Sequence, residues 1–282
     1  MRFSLCNEVL RDLDFAAQCD FAAALGYDGL EVAPFTLGDA PDKVGSGTIR
    51  AMRSAAEASG IAITGLHWLL IKPEGLSIVT EDAAVLSKTT AFLERMVELC
   101  GELGGSVLVH GSPAQRRLGE DREAGLTRAM KVFEAVARAS ERAGVIYCLE
   151  PLSRHETNFV NTLDEAAAIV GRVGSPNFRT MIDTSAAGLT EDMPVADLIR
   201  KWMPTGLLAH VQLNDTNRRE PGAGEDDFPA ILRALVETGY GDCAAIEPFV
   251  YTPDGPAAAA RAIGFIRGIL AGLSSFTGSR EA

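Results

Sequence analysis

The chain has 282 residues, 47% of them hydrophobic, and carries a formal net charge of −12 with a pI near 4.9. That length suits one α/β barrel of about 250 residues, and the acidic balance argues against nucleic acid or an anionic membrane as a main partner, since both need a basic surface. No apolar run approaches the roughly 20 residues of a membrane span, and MRFSLCNEVLRDLDF lacks the basic and apolar regions of a signal peptide, so a cytoplasmic protein is expected.

Short apolar runs alternate with longer helical patterns. FSLC (3–6) precedes a helix near 14–25 that stops at Gly26. DGLEV (28–32) precedes one near 47–59 that stops at Gly60. IAITGLH (61–67) leads to a helix near 81–103, and SVLVH (106–110) to one near 119–143 that stops at Gly144. VIYCLE (145–150) leads to LDEAAAIVGRV, RTMID (179–183) to PVADLIRKW, LLAHVQL (207–213) to FPAILRALVETG, and CAAIE (243–247) to a helix near 255–273. Glycine falls where helices should stop, supplying the left-handed cap. Eight such units with nearly continuous apolar strands predict a closed parallel (β/α)8 TIM barrel. A doubly wound open sheet would need a Gly-rich first turn, and CNEVLRDLD has none. One domain is expected over 1–274, with 275–282 a frayed tail. The longer connections at 33–46, 69–80, 111–118, 151–162 and 214–227 all follow strands, which places them on the catalytic face. The five cysteines are scattered without a CxxC pair and read as reduced thiols, with Cys6, Cys148 and Cys243 buried in strand-like runs.

Four of the last strands close on an oxygen-bearing side chain: Glu150, Asp183, Gln212 and Glu247, spaced 29 to 35 residues apart. Parallel strand ends converge at one barrel mouth, so these four read as ligands of one divalent ion. Burying that many carboxylates together without a cation is costly. Three carboxylates and an amide suit Mg²⁺ or Mn²⁺ better than Zn²⁺. No organic cofactor is required. His210, on the same face as Gln212 and one pleat earlier, competes for the fourth place.

The motifs GYDGLEVAP, GLHWLL, LVHGSPAQR, LEPLSRHETNFVNT, MIDTSAAG, HVQLNDTNRREPGAGEDDF and AIEPF cover most of the chain. Together they resemble the sugar phosphate isomerase/epimerase superfamily, the xylose isomerase-like barrels that include ketose 3-epimerases and hydroxypyruvate isomerase. The resemblance implies that Glu150 and Glu247 hold the metal and also move a proton through a metal-bound cis-enediolate, and that Asp183 is a third ligand. The fourth ligand in the epimerases is a histidine. Here it is Gln212, in the H-x-Q pattern of hydroxypyruvate-isomerase-like members. The resemblance also implies that Glu156 bonds a sugar hydroxyl or the substrate oxygen near the metal, and that Arg218 steadies the developing oxyanion or a sugar oxygen.

The expected substrate is therefore a sugar, ketose or keto-acid. His67 and His110, taken to end strands 3 and 4 at the same mouth, are substrate-contact candidates. So are Trp68 as a stacking wall, Asn7, and His155, which stands where the epimerases carry an aromatic residue. Ala186 stands where they carry a substrate-touching histidine. Glu8 and Glu31 are weaker rim candidates, Asp215 is a candidate for orienting a ligand, and the GSPAQRR loop (111–117) reads as a polar rim. Rim loops and the last helix are the candidate faces of a homo-oligomer. A metal-dependent lyase or dehydratase on an oxidised sugar, inosose or glycoside is the alternative within the fold, with His155 or His110 as the extra acid. A multi-zinc DNA repair enzyme and an inert sugar-binding barrel are the other readings. The first is opposed by only four histidines and the −12 charge, the second by the filled ligand set.

Overall fold

The computed structural model of the protein describes residues 1–277, with side chains through 273. Eight parallel strands close in chain order, each hydrogen-bonded to the next and β8 back to β1. The strands are β1 (Arg2–Cys6), β2 (Gly29–Val32), β3 (Ala62–Leu66), β4 (Val107–His110), β5 (Ile146–Leu149), β6 (Phe178–Asp183), β7 (Leu208–Leu213) and β8 (Cys243–Ile246). The covering helices are α1 (Phe15–Leu25), α2 (Ser46–Ser59), α3 (Ala83–Leu103), α4 (Arg122–Ala143), α5 (Leu163–Val173), α6 (Thr184–Thr190), α7 (Val195–Trp202), α8 (Phe228–Glu237) and α9 (Gly255–Thr277). The expected barrel is borne out. The expected helix stops also hold: Gly26 and Gly144 adopt φ of +87° and +69°, a conformation that costs glycine nothing.

Two expectations change. The connection after β6 was read as one helix from PVADLIRKW, but a short α6 precedes it, beginning directly at the strand end with Asp183 as its N-cap. Its seven residues are too few to show a 3.6-residue period. The last helix is also more apolar than expected: Gly255–Leu273 is 19 residues long with mean hydropathy 1.3, enough by length and composition to cross a membrane. Here Ala258, Ala259, Ala262, Ile263 and Ile266 of that stretch are buried, and α9 packs on α8 as the last barrel helix. The expected tail lies mostly outside the described residues; the backbone of α9 runs on to Thr277.

Alternation along each strand sorts its side chains into two layers. Leu5, Leu30, Leu66, Leu108, Leu149, Ile182, Val211 and Ile246 join the large hydrophobic layer shared with the helices. Val107, Val109, Cys148 and Met181 form a smaller apolar plug inside the barrel. The inner residues toward the C-terminal ends of the strands are polar, and that is where the carboxylates gather. All five cysteines are buried and free.

Candidate metal centre and active site

Glu150, Asp183 and Glu247 follow or end β5, β6 and β8 on the inward face. They offer oxygen atoms that all lie within 4.8 Å of one another. Each is nearly fully buried, at 4–5% exposure. Among the described residues, no Lys, Arg or His lies in ion-pair range of Glu150 or Asp183, while Glu247 Oε1 is 3.6 Å from His67 Nε2. Burial, reinforced by mutual repulsion, pushes Glu150 and Glu247 well above the usual carboxylate range, and burial raises Asp183 to about 7. A divalent ion would reverse that cost.

Local structure leaves one oxygen of Asp183 without a partner. Its Oδ1 caps α6 by accepting from the Ala186 backbone N–H at 2.7 Å, and its Oδ2 is buried and unpartnered. Glu150 lies against Gly111, where a Cβ would stand 1.7 Å from Oε2. Gly111→Ala should therefore displace the Glu150 carboxylate and lower kcat by about 100-fold, the scale of an ångström-sized misplacement. A far-UV spectrum that stays native alongside steady-state kinetics checks this.

The geometry bears on the competition between Gln212 and His210. Gln212 Nε2 donates to Glu31 Oε1 at 2.9 Å, which leaves Gln212 Oε1 buried and without a partner. The register pairs Gln212 with Asp183 on one side and Ala245 on the other. His210 sits deeper, with Nε2 2.8 Å from Glu31 Oε2. An amide whose N–H₂ is fixed and whose oxygen is free is what a fourth oxygen ligand requires.

Glu31 is the central residue beneath this site, and its position corrects the rim expectation: it is fully buried inside the barrel. Burial alone would raise its pKa, but His210, His67 and Gln212 outweigh that and hold it below the usual range. His67 likewise resists burial. Glu8 at 3.0 Å and Glu31 at 3.7 Å keep its pKa above the ordinary value. Cys6, Glu8, His67 and Glu247 form a second tight group. There His67 answers Glu8 at 3.0 Å, and burial holds the Cys6 thiol protonated. Among the described residues, Glu150 and Asp183 have no such cation in ion-pair range. Glu31→Gln should weaken divalent-metal affinity about 10- to 100-fold by releasing the Gln212 amide, as measured by calorimetric titration with Mn²⁺.

Above the carboxylates lies a cleft with two adjoining lobes, of about 240 and 220 Å³. Glu150, Glu156, Leu152, Arg218 and Phe249 line both. Arg218 lies 3.8 Å from Glu156 and over the Phe249 ring at 4.6 Å, and its carbonyl accepts from the Phe249 and Val250 N–H groups at 2.9 Å. Trp68 walls the first lobe, edge-on to Phe35 and Phe249. Trp68 and Arg218 have φ of +51° and +66°, a conformation costing a non-glycine residue about 1–3 kcal/mol and concentrated at functional sites. His155 lies at the exposed lip of the second lobe.

Three substrate-contact candidates are drawn elsewhere. His110 does not face the mouth. Val107 and Val109 point into the barrel, so the alternation turns His110 outward, where its Nδ1 lies 2.6 Å from Tyr147 Oη and its ring packs on Phe133 of α4. Burial, with Arg116 nearby, lowers its pKa to about 3. Asn7 is buried and fully engaged: its Nδ2 donates to Gln18 and Thr36, and its Oδ1 accepts from the Ala33 N–H. His67 reaches Glu247 from inside the barrel and lines neither lobe. The 111–117 loop is not a free polar rim either. Arg116 is fully buried, donating to the carbonyls of Glu150, His110 and Val160, and Arg117 donates to the Glu156 carbonyl. Asp215 packs its carboxylate against Gly224 of its own loop. Asn214, which sequence reasoning passed over, ties three strand ends together: Nδ2 donates to the Glu247 carbonyl, and Oδ1 accepts from the Ser185 N–H.

Comparison with known proteins agrees with this geometry. A family described as xylose isomerase-like TIM barrel matches residues 19–269. The chain is 31% identical over 243 residues to a D-psicose 3-epimerase of Agrobacterium fabrum, covering 84% of this chain and 80% of that one. It is 30% identical over 206 residues to an L-ribulose 3-epimerase of Mesorhizobium japonicum, covering 71% and 65%. The solved 3-keto-D-glucoside 4-epimerase of E. coli superposes with a TM-score of 0.82 at 20% identity, covering 95% of this chain and 99% of that one, and so shares the fold. On a match spanning nearly the whole barrel, the chain belongs to the xylose isomerase-like TIM barrel family.

Proposed function

We propose that the protein is a divalent-metal-dependent epimerase or isomerase of a keto-sugar, with Glu150 and Glu247 moving the proton. The observation that carries this reading is the pair of buried glutamates lining one cleft together, with the unpartnered oxygens of Asp183 and Gln212 close by. Those four residues would hold one Mn²⁺ or Mg²⁺, which supplies Lewis-acid polarisation of a carbonyl and its neighbouring hydroxyl. The epimerase relatives support the same reaction class.

The chain's own groups would then act as follows. One glutamate accepts the proton from the carbon beside the carbonyl, and the other donates to the opposite face, giving the epimer, or to the adjacent carbon, giving the isomer. Arg218 is positioned to answer the negative charge of the enediolate, and Glu156 holds its guanidinium. Trp68 and Phe249 wall off solvent from one side. Five buried, free thiols fit a cytoplasmic setting. The lyase alternative loses one of its two candidate acids, because His110 faces the helices.

The test is incubation of the Mn²⁺- or Mg²⁺-loaded protein with D-psicose and with related ketoses and keto-sugars in D₂O, followed by NMR. Deuterium entering the carbon beside the carbonyl, with the sugar retained, is the expected result. Loss of water or of an aglycone would point to the lyase. No exchange with any of them, metal being bound, would refute the assignment.

A further inference from the structure

The two lobes of the cleft are unequal in chemistry but nearly equal in size. The first has Glu150 and Glu247 on its floor and Trp68, Pro113, Leu152 and Phe249 as walls, in about 240 Å³. The second is floored by Asp183 and Asn214, with Ser153 and Ser185 beside them and His155 and Leu189 farther out, in about 220 Å³. Only the first holds both proton-moving glutamates, so the reacting carbon belongs there. Whatever is attached on the Asp183 side of the carbonyl enters the second lobe.

A free 2-ketose entering with its short end on that side would place a single hydroxymethyl group in that space. The wall there is Ala186, on the first turn of α6, which contributes one methyl group. The Ser185 hydroxyl stands on the floor beside Asn214 and Ser153, which are engaged with the Glu247 carbonyl, the Ser185 N–H and Glu156, and the lip is exposed, with Leu189 at 46% accessibility. A polar floor grading to an open lip where Leu189 stands beside His155 matches a sugar ring, whose hydroxyls seek hydrogen bonds and whose C–H face seeks an apolar side chain.

Resting on the metal-dependent reading above, we propose that the second lobe is a substituent subsite and that the preferred substrate is a keto-sugar extended on both sides of its carbonyl, of the keto-glycoside class, in preference to a free six-carbon 2-ketose. The substituent lies over Ala186 and leaves past Leu189. Specificity then resides in the β6–α6 junction as well as in the metal ligands.

The experiment compares D-psicose with a keto-disaccharide whose carbonyl is on a ring carbon, using the Mn²⁺-loaded protein. The disaccharide is expected to show a kcat/KM at least about tenfold higher. Ala186→His and Leu189→Trp, which close the lobe at its wall and at its lip, should each shift the ratio about tenfold toward D-psicose. Leu189 is exposed enough for its variant to fold whatever becomes of the first. Saturation-transfer NMR on chelator-treated protein, a readout independent of turnover, should show contact to both rings. Preference for D-psicose with a ratio that neither variant moves, or transfer confined to the keto ring, overturns the subsite while leaving the epimerase reading intact. Exchange with neither sugar, nor with any of the related ketoses and keto-sugars, overturns both.

Discussion

Glu150→Gln and Glu247→Gln should each lower kcat by about 10²–10⁴-fold, the usual worth of a positioned general acid or base. The two variants should differ in kind. Each keeps an amide oxygen for the metal and loses the ability to carry a proton, so bound Mn²⁺ should remain detectable by elemental analysis while turnover falls. Glu150 is the more crowded of the two, with Gly111 beneath one oxygen and its own carbonyl held by Arg116 at 2.7 Å. Glu247 is the one in contact with a histidine, at 3.6 Å. If the glutamates serve opposite faces, one variant should still exchange the proton of one epimer with solvent without converting it to the other. Single-turnover experiments in D₂O, run from each epimer separately, distinguish the two. Near-wild-type kcat in either variant with metal retained would remove that residue from the proton path.

The second large effect concerns stability. In metal-free protein, Asp183 holds its proton up to about 7, whereas its ordinary value is 3.8. Between those values the folded state binds more protons than the unfolded chain, so stability falls as pH rises through the window. A shift of that size corresponds to a change on the order of 4 kcal/mol. Glu150 and Glu247, also raised, act in the same sense. His67, held above its ordinary value of 6.5, contributes stability that is complete below that value and is lost as pH rises through its raised pKa. Glu31 runs the other way: its pKa is lowered from 4.5, so its contribution is present above that value. Chelator-treated protein should therefore melt at a higher temperature at pH 5 than at pH 7. Saturating Mn²⁺ should abolish or invert that order, because the ion favours the ionised carboxylates. Differential scanning calorimetry across pH 4.5–8 with and without metal checks it, and a Tm difference that metal leaves unchanged would count against the three carboxylates as its ligands.

Much of the barrel was legible because eight apolar runs were each followed by a helix with a glycine stop. The carboxylates were legible because each interrupts an apolar run at its end, and burial of such a group demands a reason. The phase of a parallel strand was not legible. SVLVH is apolar on both faces, as a strand covered by helices must be, so nothing in it told that His110 turns outward and Val109 inward. The same ambiguity hid Glu31, which reads as a rim residue in DGLEV and proves to lie at the heart of the barrel. Arg116 was misread for a different reason. A cationic side chain in a polar loop gives no sign that its guanidinium will be spent on three backbone carbonyls.

The hydrogen bond from Gln212 to Glu31 has a consequence for how the site loses its ion in acid. A histidine in that place would compete for a proton near its ordinary value of about 6.5, and metal release would draw on imidazole as well as carboxylate. A carboxamide does not titrate in that range. On the proposed ligand set the proton count for release comes from three carboxylates alone, and one corner of the coordination sphere keeps the same charge from mildly acidic to alkaline conditions.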